Sequence, residues 1–102
     1  MFGTTIRKFR EEKGLLLRQV SAELDIDPAI LSKVERGERN LRKEQVIRIA
    51  KILDQPIEDL TILWLTDKIS DLIKDEKYAI EALTMTIDKL KKKIEENLNN
   101  SI

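Results

Sequence analysis

Residues 14–37 read GLLLRQVSAELDIDPAILSKVERG, and this stretch decides the fold. Apolar residues recur at helical spacing between Leu17 and Leu24 and predict a short helix. A second short helix follows after only a few residues, and small Ser21 allows the two helices to pack closely where they cross. The stretch therefore predicts two short helices joined by a tight turn.

The start of the second helix carries the clearest local signals. Pro28 suits the first helical position, where its missing N–H has no partner to lose. Asp27 is a good N-cap residue, and the proline after it disfavours a helical conformation there. Gly37 ends the helix after about Arg36. We therefore predict a helix from Pro28 to about Arg36.

Similar patterns on either side predict four further helices. The first helix opens with Ile6, Phe9 and Arg10 and ends at Lys13-Gly14. The fourth runs from about Arg42 to Leu53. After Pro56, a fifth runs from about Ile57 to Lys74 and a last from about Glu76 to Leu98. The expected fold is all-α: a compact helix-turn-helix bundle of about five helices with an additional C-terminal dimerisation helix. We assign residues 1–60 to the helix-turn-helix domain, 61–98 to a helical extension and 99–102 to a frayed tail.

The composition restricts the chemistry that the chain can perform. Its 102 residues include no cysteine and no histidine, which excludes disulfides, thiolate zinc sites and imidazole catalysis. No set of nucleophile and base, phosphate-binding loop or metal-ligand cluster is recognisable. We expect neither an enzyme nor a protein with a metal or cofactor.

Two observations bear on location. The segment from Met1 to Thr5 lacks the charged and apolar regions of a signal peptide. The longest apolar cluster, Ile62 to Leu65, is far shorter than the roughly 20 residues that span a bilayer. The expectation is a cytoplasmic protein without a membrane partner.

The net charge of zero conceals an asymmetry. Residues 1–55 carry 12 Lys and Arg against 9 Asp and Glu, while residues 56–102 carry 7 against 10. The halves thus carry +3 and −3, which supports a basic binding half and a different role for the second half.

The last predicted helix carries a heptad seam. Apolar residues step by 3, 4, 3 and 4, with isoleucine at one heptad position and leucine at the other: Ile80, Leu83, Ile87, Leu90 and Ile94. This pairing favours two-stranded association. The seam is interpreted as a homodimer contact, and the alternative is packing on the fifth helix of the same chain. Trp64 is assigned to the core or to the dimer interface.

The segment Leu31-Ser32-Lys33-Val34-Glu35-Arg36-Gly37 resembles the end of the recognition helix in the lambda-repressor/Cro-type helix-turn-helix family, also called the XRE family. The spacing from Gly14 to Gly37 and the later Ile49-Ala50-Lys51-Ile52-Leu53 are also similar to that family. The resemblance covers residues 3 to about 60. It implies a regulator that binds double-stranded DNA.

The sequence departs from the family pattern in two places, the start of the second helix and the turn after it. Many relatives place Ser or Thr and then Gln at the start of the second helix, where they hold a phosphate. This chain has Leu16 and Leu17 there, so Arg18 is the expected substitute phosphate ligand. Asp25 replaces the usual glycine of the turn and tolerates a left-handed conformation less readily.

The resemblance implies that Pro28, Ala29, Ile30 and Lys33 face the major groove. Lys33 suits guanine O6 and N7, and the other three offer apolar surface for thymine methyl groups. Ile30 is equally compatible with core packing, and DNA shape is expected to supply much of the specificity. Basic and polar residues around the loop after this helix are expected to contact phosphates: Arg36, Arg39, Asn40, Arg42 and Lys43. The alternative is an ordinary solvated face, because acidic residues alternate with them. Glu35 is expected to bond backbone or an arginine.

The leading hypothesis is a repressor or autoregulator that binds a palindromic operator as a homodimer. A controller of a restriction–modification locus and an antitoxin both fit the size of the chain. The competing hypothesis is a helical protein-interaction module that does not bind DNA. No small-molecule effector is identifiable from the residues.

Overall fold

The computed structural model describes residues 1–100, and these residues form six helices and no strand. The helices are α1 (Phe2–Glu12), α2 (Leu17–Leu24), α3 (Pro28–Glu35), α4 (Lys43–Ile52), α5 (Ile57–Ile73) and α6 (Ala79–Asn100). The predicted all-α fold and the two short helices around the tight turn are confirmed. No helix within residues 1–100 is long and apolar enough to cross a bilayer.

The first compact unit, Met1–Ile69, contains the hydrophobic core. Its core side chains come from the first five helices, the loop before α4 and the C-cap of α4: Phe2, Ile6, Val20, Leu24, Leu31, Val34, Leu41, Val46, Ile49, Ala50, Leu53, Leu60 and Trp64. The unit extends past residue 60 because Trp64 contributes to this core. The buried indole Nε1–H donates to the Leu41 carbonyl at 2.8 Å, which satisfies a group that would be costly to bury alone.

Both ends of the chain differ from the predicted helix boundaries. Phe2 and Gly3 are buried, so α1 begins at Phe2 rather than near Ile6. The last helix begins at Ala79 rather than Glu76 because turns occupy residues 74–78. It continues through Asn100, and the rest of the predicted frayed tail, residues 101–102, lies outside the described residues.

The second unit, Ser70–Ile102, holds the end of α5 and the whole of α6. None of the described residues of α6 is buried. The Leu83 side chain is half-buried, whereas the other four seam side chains are about half exposed or more: Ile80, Ile87, Leu90 and Ile94. The interpretation of the seam as a homodimer contact stays a prediction.

Candidate functional site

The recognition helix predicted from the sequence is α3, and its start is formed as expected. The Asp27 backbone is extended, and its carboxylate accepts the Ala29 N–H at 2.7 Å. Asp27 is thus the N-cap, with Pro28 at the first helical position. Leu31 and Val34 are fully buried and hold one face of α3 against the core. The opposite side of the helix is available for a ligand.

The turn before α3 requires an unusual backbone conformation. Asp25 has φ 58° and ψ 44°, the left-handed conformation that glycine adopts more readily. The Arg48 guanidinium on α4 donates to the Glu23 and Leu24 carbonyls at the end of α2. These bonds satisfy carbonyls that a helix end leaves open and place a cation at its negative end. Arg48 therefore fixes the turn from outside the motif.

The far end of α3 is joined to α1 by an ion pair. Glu35 is buried, and its carboxylate accepts from Arg10 Nε at 2.7 Å and from Nη2 at 3.0 Å. Arg10 also donates to the Leu15 carbonyl at 2.9 Å. The hydrogen bond to Glu35 raises the pKa of the Arg10 guanidinium, although partial burial opposes the shift. The prediction that Glu35 bonds an arginine is confirmed.

The same end of α3 lies against the backbone of α1. A Cβ atom on Gly3 would lie 2.3 Å from the Val34 carbonyl oxygen and 2.7 Å from that of Glu35. Only glycine permits this approach without displacement of backbone. Arg10 and Gly3 position α3 through residues more than 20 positions away, so local sequence patterns predict a role for neither.

The predicted base-contacting residues lie on the outer side of α3. Pro28, Ala29 and Lys33 are exposed, and Ile30 is half-buried. Among residues 1–100, no acidic side chain pairs with Lys33. Its ammonium group is therefore available to an external acceptor.

A shallow groove joins Ile30 to the loop after α3. Four of the predicted site residues line this groove: Ile30, Arg39, Asn40 and Arg42. The other lining residues are Ile26, Leu41 and Gln45. The lining of the groove thus combines three apolar side chains with two cations and two amides. Ile26 and Gln45 were not predicted, since core packing and helix capping explain them equally well from sequence.

The remaining basic residues occupy separate positions. Arg36 donates to the Ser32 hydroxyl and the Glu38 carboxylate and lines another groove, with Arg7, Arg10 and Leu17. Arg18, Lys33 and Lys43 are exposed and line neither groove. Within the described range, Arg39, Arg42 and Lys43 form no ion pair.

Glutamines support the starts of the two neighbouring helices, neither of which has a side-chain cap from its N-cap residue. Gln19 Oε1 accepts the Leu16 N–H at 2.7 Å at the start of α2. Gln45 Oε1 accepts the Arg42 N–H at 2.8 Å at the start of α4. Each bond satisfies one backbone donor and forms one half of a capping box. At the start of α2 the other half is missing, because the Leu16 side chain offers no acceptor.

Within residues 1–100, no group of three or more acidic side chains converges as a metal site requires. Trp64 lies in the core, and Lys68 Nζ lies 4.2 Å from the centroid of its ring. A core role for Trp64 is thus observed, while its assignment to a dimer interface stays a prediction.

Comparison with known proteins agrees with this arrangement. Residues 6–60, more than half of the chain, match the family model HTH_3, described as helix-turn-helix. Among curated proteins no sequence matches significantly. A crystal structure of the clp gene regulator ClgR from Corynebacterium glutamicum is similar at 30% identity and a TM-score of 0.54, over 60% of this chain and 79% of that chain.

Two further structures share the fold at lower identity. A second ClgR structure from the same organism has 22% identity and a TM-score of 0.55, over 87% of this chain and 84% of that one. A chain from a SinR protein/SinI protein complex has 19% identity and a TM-score of 0.55, over 91% and 99%. The fold likeness thus extends beyond the region that the family model matches.

Proposed function

Because this chain belongs to the XRE-type helix-turn-helix family of DNA-binding transcriptional regulators, we propose that it binds a palindromic operator as a homodimer and represses transcription there. The observation that carries the proposal is the groove joining Ile30 to Arg39, Asn40 and Arg42. A lining of apolar side chains and cations fits the edge of a DNA groove, where thymine methyl groups lie next to phosphates.

The contacts divide by chemistry. Lys33 is exposed and without an acidic partner among the described residues, so it donates to guanine in the major groove. Pro28, Ala29 and Ile30 meet thymine methyl groups. The flanking cations neutralise phosphates and release counterions, which supplies affinity without sequence preference: Arg18, Arg36, Arg39, Arg42 and Lys43.

The second half of the chain supplies pairing. The α6 seam leaves Ile87, Leu90 and Ile94 more than half exposed, an arrangement that a second copy would cover. One helix-turn-helix reads one half-site, and two joined copies read an inverted repeat. Repression then requires only that the bound dimer occupies DNA that the transcription machinery needs.

Selection of sites from a randomised duplex pool tests this proposal. Enriched duplexes should contain inverted repeats with half-site centres about one helical turn apart, or a multiple of it. Sedimentation should give two protomers per duplex, and the affinity should fall steeply with salt. The absence of any enriched sequence, or binding of one protomer to a single half-site, would contradict operator recognition by a homodimer.

A protein partner is the second candidate function. The exposed α6 seam is compatible with a helix from another protein, and one structural neighbour comes from a complex of two different proteins. Helix α6 and the helix of the partner protein would then pair through the same apolar positions of the α6 seam. Sedimentation of the chain alone separates the candidates, because a partner-binding role leaves it monomeric.

A further inference from the structure

The loop between α3 and α4, residues 37–42, has one buried side chain. Leu41 is 3% exposed and belongs to the core, whereas the rest of the loop is exposed. Two predicted DNA contacts, Arg39 and Asn40, immediately precede Leu41 in the sequence. The position of Leu41 therefore decides where these two polar side chains lie.

Few hydrogen bonds hold the backbone of this loop. At its start, N–H groups donate to carbonyls of α3, and at its end the Arg42 N–H donates to Gln45. Within the described range, the backbone of residues 39–41 has one hydrogen bond, in which the Trp64 indole Nε1–H donates to the Leu41 carbonyl at 2.8 Å. Trp64 thus holds the middle of the loop from α5.

From this placement we propose that Trp64 is a positioning residue for DNA binding, which holds the loop where Arg39 and Asn40 meet the duplex. The role rests on the proposed function, because it requires that the loop contacts DNA. Trp64 is only 7% exposed, so it acts through the loop and does not touch DNA itself. It also lies beyond residues 6–60, the range that the family model matches.

The physical reason is the conformational freedom of the loop. Side chains that are already held in place lose less freedom on binding, so an ordered loop binds more tightly than a mobile one. The bond from Trp64 to the Leu41 carbonyl is buried, and without its donor this carbonyl would lack a partner away from water. Loss of the indole N–H therefore favours movement of the loop toward solvent.

Two changes at position 64 test this role. Trp64→Phe keeps a buried aromatic ring and removes the N–H donor. Because the chain has a single tryptophan, incorporation of benzothienylalanine in its place gives a second variant, which keeps the two-ring shape and has sulfur instead of the N–H. The matched control is Ile6→Val, which trims a fully buried side chain on α1 and leaves the loop unchanged. Circular dichroism and urea unfolding identify the variants that are folded.

Trypsin measures the order of the loop without DNA, because it cleaves after arginine and Arg39 lies in the loop. Cleavage there depends on how often the loop opens, and one lost hydrogen bond changes that population about fivefold. We expect cleavage after Arg39 to be about fivefold faster in both position-64 variants and unchanged in Ile6→Val. Rates within about twofold of the unmodified chain in both variants would overturn the proposal.

Affinity for a selected duplex gives the second measurement. Both position-64 variants should bind about 3- to 10-fold more weakly, whereas Ile6→Val should bind like the unmodified chain. Arg39→Ala should weaken the position-64 variants less than it weakens the unmodified chain, because the Arg39 contact is already impaired. Arg18→Ala, on α2, should weaken all backgrounds equally.

The pattern of these costs separates a positioning role from a structural one. If Arg39→Ala weakens every background equally, Trp64 serves the core alone and the proposal is overturned, while the proposed function stands. If the unmodified chain selects no duplex, the proposed function itself fails, and the role of Trp64 in DNA binding fails with it even where cleavage after Arg39 is faster.

Discussion

Glu35 is the residue whose loss should disturb the recognition helix most. Its buried carboxylate accepts two hydrogen bonds from Arg10, whose side chain is only 13% exposed. We predict that Glu35→Ala lowers the free energy of unfolding by about 3 kcal/mol, because it leaves a partly buried cation unpaired. Urea denaturation measures the change.

The matched control is Glu38→Ala, which breaks the exposed pair between Arg36 and Glu38 and leaves Arg10 untouched. Exposed pairs contribute at most about 1 kcal/mol. Equal costs for Glu35→Ala and Glu38→Ala would show that burial of the Arg10 pair does not matter.

Gly3 gives a second prediction at a single residue. The variant Gly3→Ala should cost about 1–3 kcal/mol, because its Cβ would meet the Val34 carbonyl oxygen at 2.3 Å and backbone cannot move as cheaply as a side chain. Thr4→Ala, at the next and exposed position, should be nearly neutral. Thermal unfolding compares the two variants, and equal melting temperatures would argue against close contact between α1 and α3.

These residues show which parts of the site can be predicted from sequence. The roles of Asp27 and Gly37 follow from rules that act over a few residues, and the structure confirms both. The pairing of Arg10 with Glu35 spans 25 positions, so the sequence predicts that Glu35 bonds backbone or an arginine but not which group it is. The close approach at Gly3 depends entirely on how α1 crosses α3.

At the scale of the element, the start of α3 depends on its cap. Asp27→Ala should cost about 1 kcal/mol by removing the 2.7 Å bond to the Ala29 N–H. It should also weaken binding to a selected duplex, because the helix that presents Lys33 begins there. Asp27→Ser keeps a capping oxygen and should retain most of both properties. A stability unchanged by Asp27→Ala would mean that the bond contributes nothing in solution.

The outer side of α3 and the loop after it should differ in how they bind DNA. Lys33→Ala should weaken binding to the selected sequence by about 1–3 kcal/mol and relax the preference at one base pair. Arg39→Ala should weaken binding to all sequences alike. It should also reduce the slope of log affinity against log salt concentration by about one, the contribution of one phosphate contact. Fluorescence anisotropy at several salt concentrations separates these effects.

Lys68→Ala provides a matched control, because it removes a cation that lies over Trp64 rather than beside α3. Its affinity and salt slope should stay close to those of the unmodified chain. If neither Lys33→Ala nor Arg39→Ala changes binding at fixed salt, DNA contacts a different surface.

The elements themselves were largely predictable, and the exceptions have physical causes. The spacing of apolar residues and the breakers Gly14, Pro28 and Gly37 delimit α2 and α3 in sequence. The start of α6 was placed too early because Glu76 and Lys77 favour a helix by composition, whereas the chain forms turns there. Sequence also presents both faces of α5 as apolar without showing which face the core covers.

The whole molecule divides into two compact units. The first continues to Ile69, since Leu60 and Trp64 complete its core. Long-range packing sets this boundary, which the spacing of apolar residues between 57 and 73 does not reveal. The second unit holds α6, most of whose seam is exposed, and its assignment as a dimerisation extension stays a prediction.

The α6 seam gives the last prediction, which concerns assembly. Ile87→Asp/Leu90→Asp should produce a folded monomer, because both side chains are more than half exposed within one chain and only a dimer would bury the new charges. Burying them would cost several kcal/mol, so association should fail while helix content is retained. Sedimentation and circular dichroism measure the two properties.

Two controls make this result specific to the seam. Met85→Asp introduces a charge at an exposed apolar residue of α6 outside the seam and should leave the dimer intact. Truncation after Asp75 removes α6 without introducing any charge and leaves the first unit complete. A truncated chain that still sediments as a dimer at micromolar concentration would show that α6 is not the main contact. Pairing would then have to depend on α5, whose exposed Ile62, Leu65 and Ile69 remain in the shortened chain, or on the surface around residues 53–60.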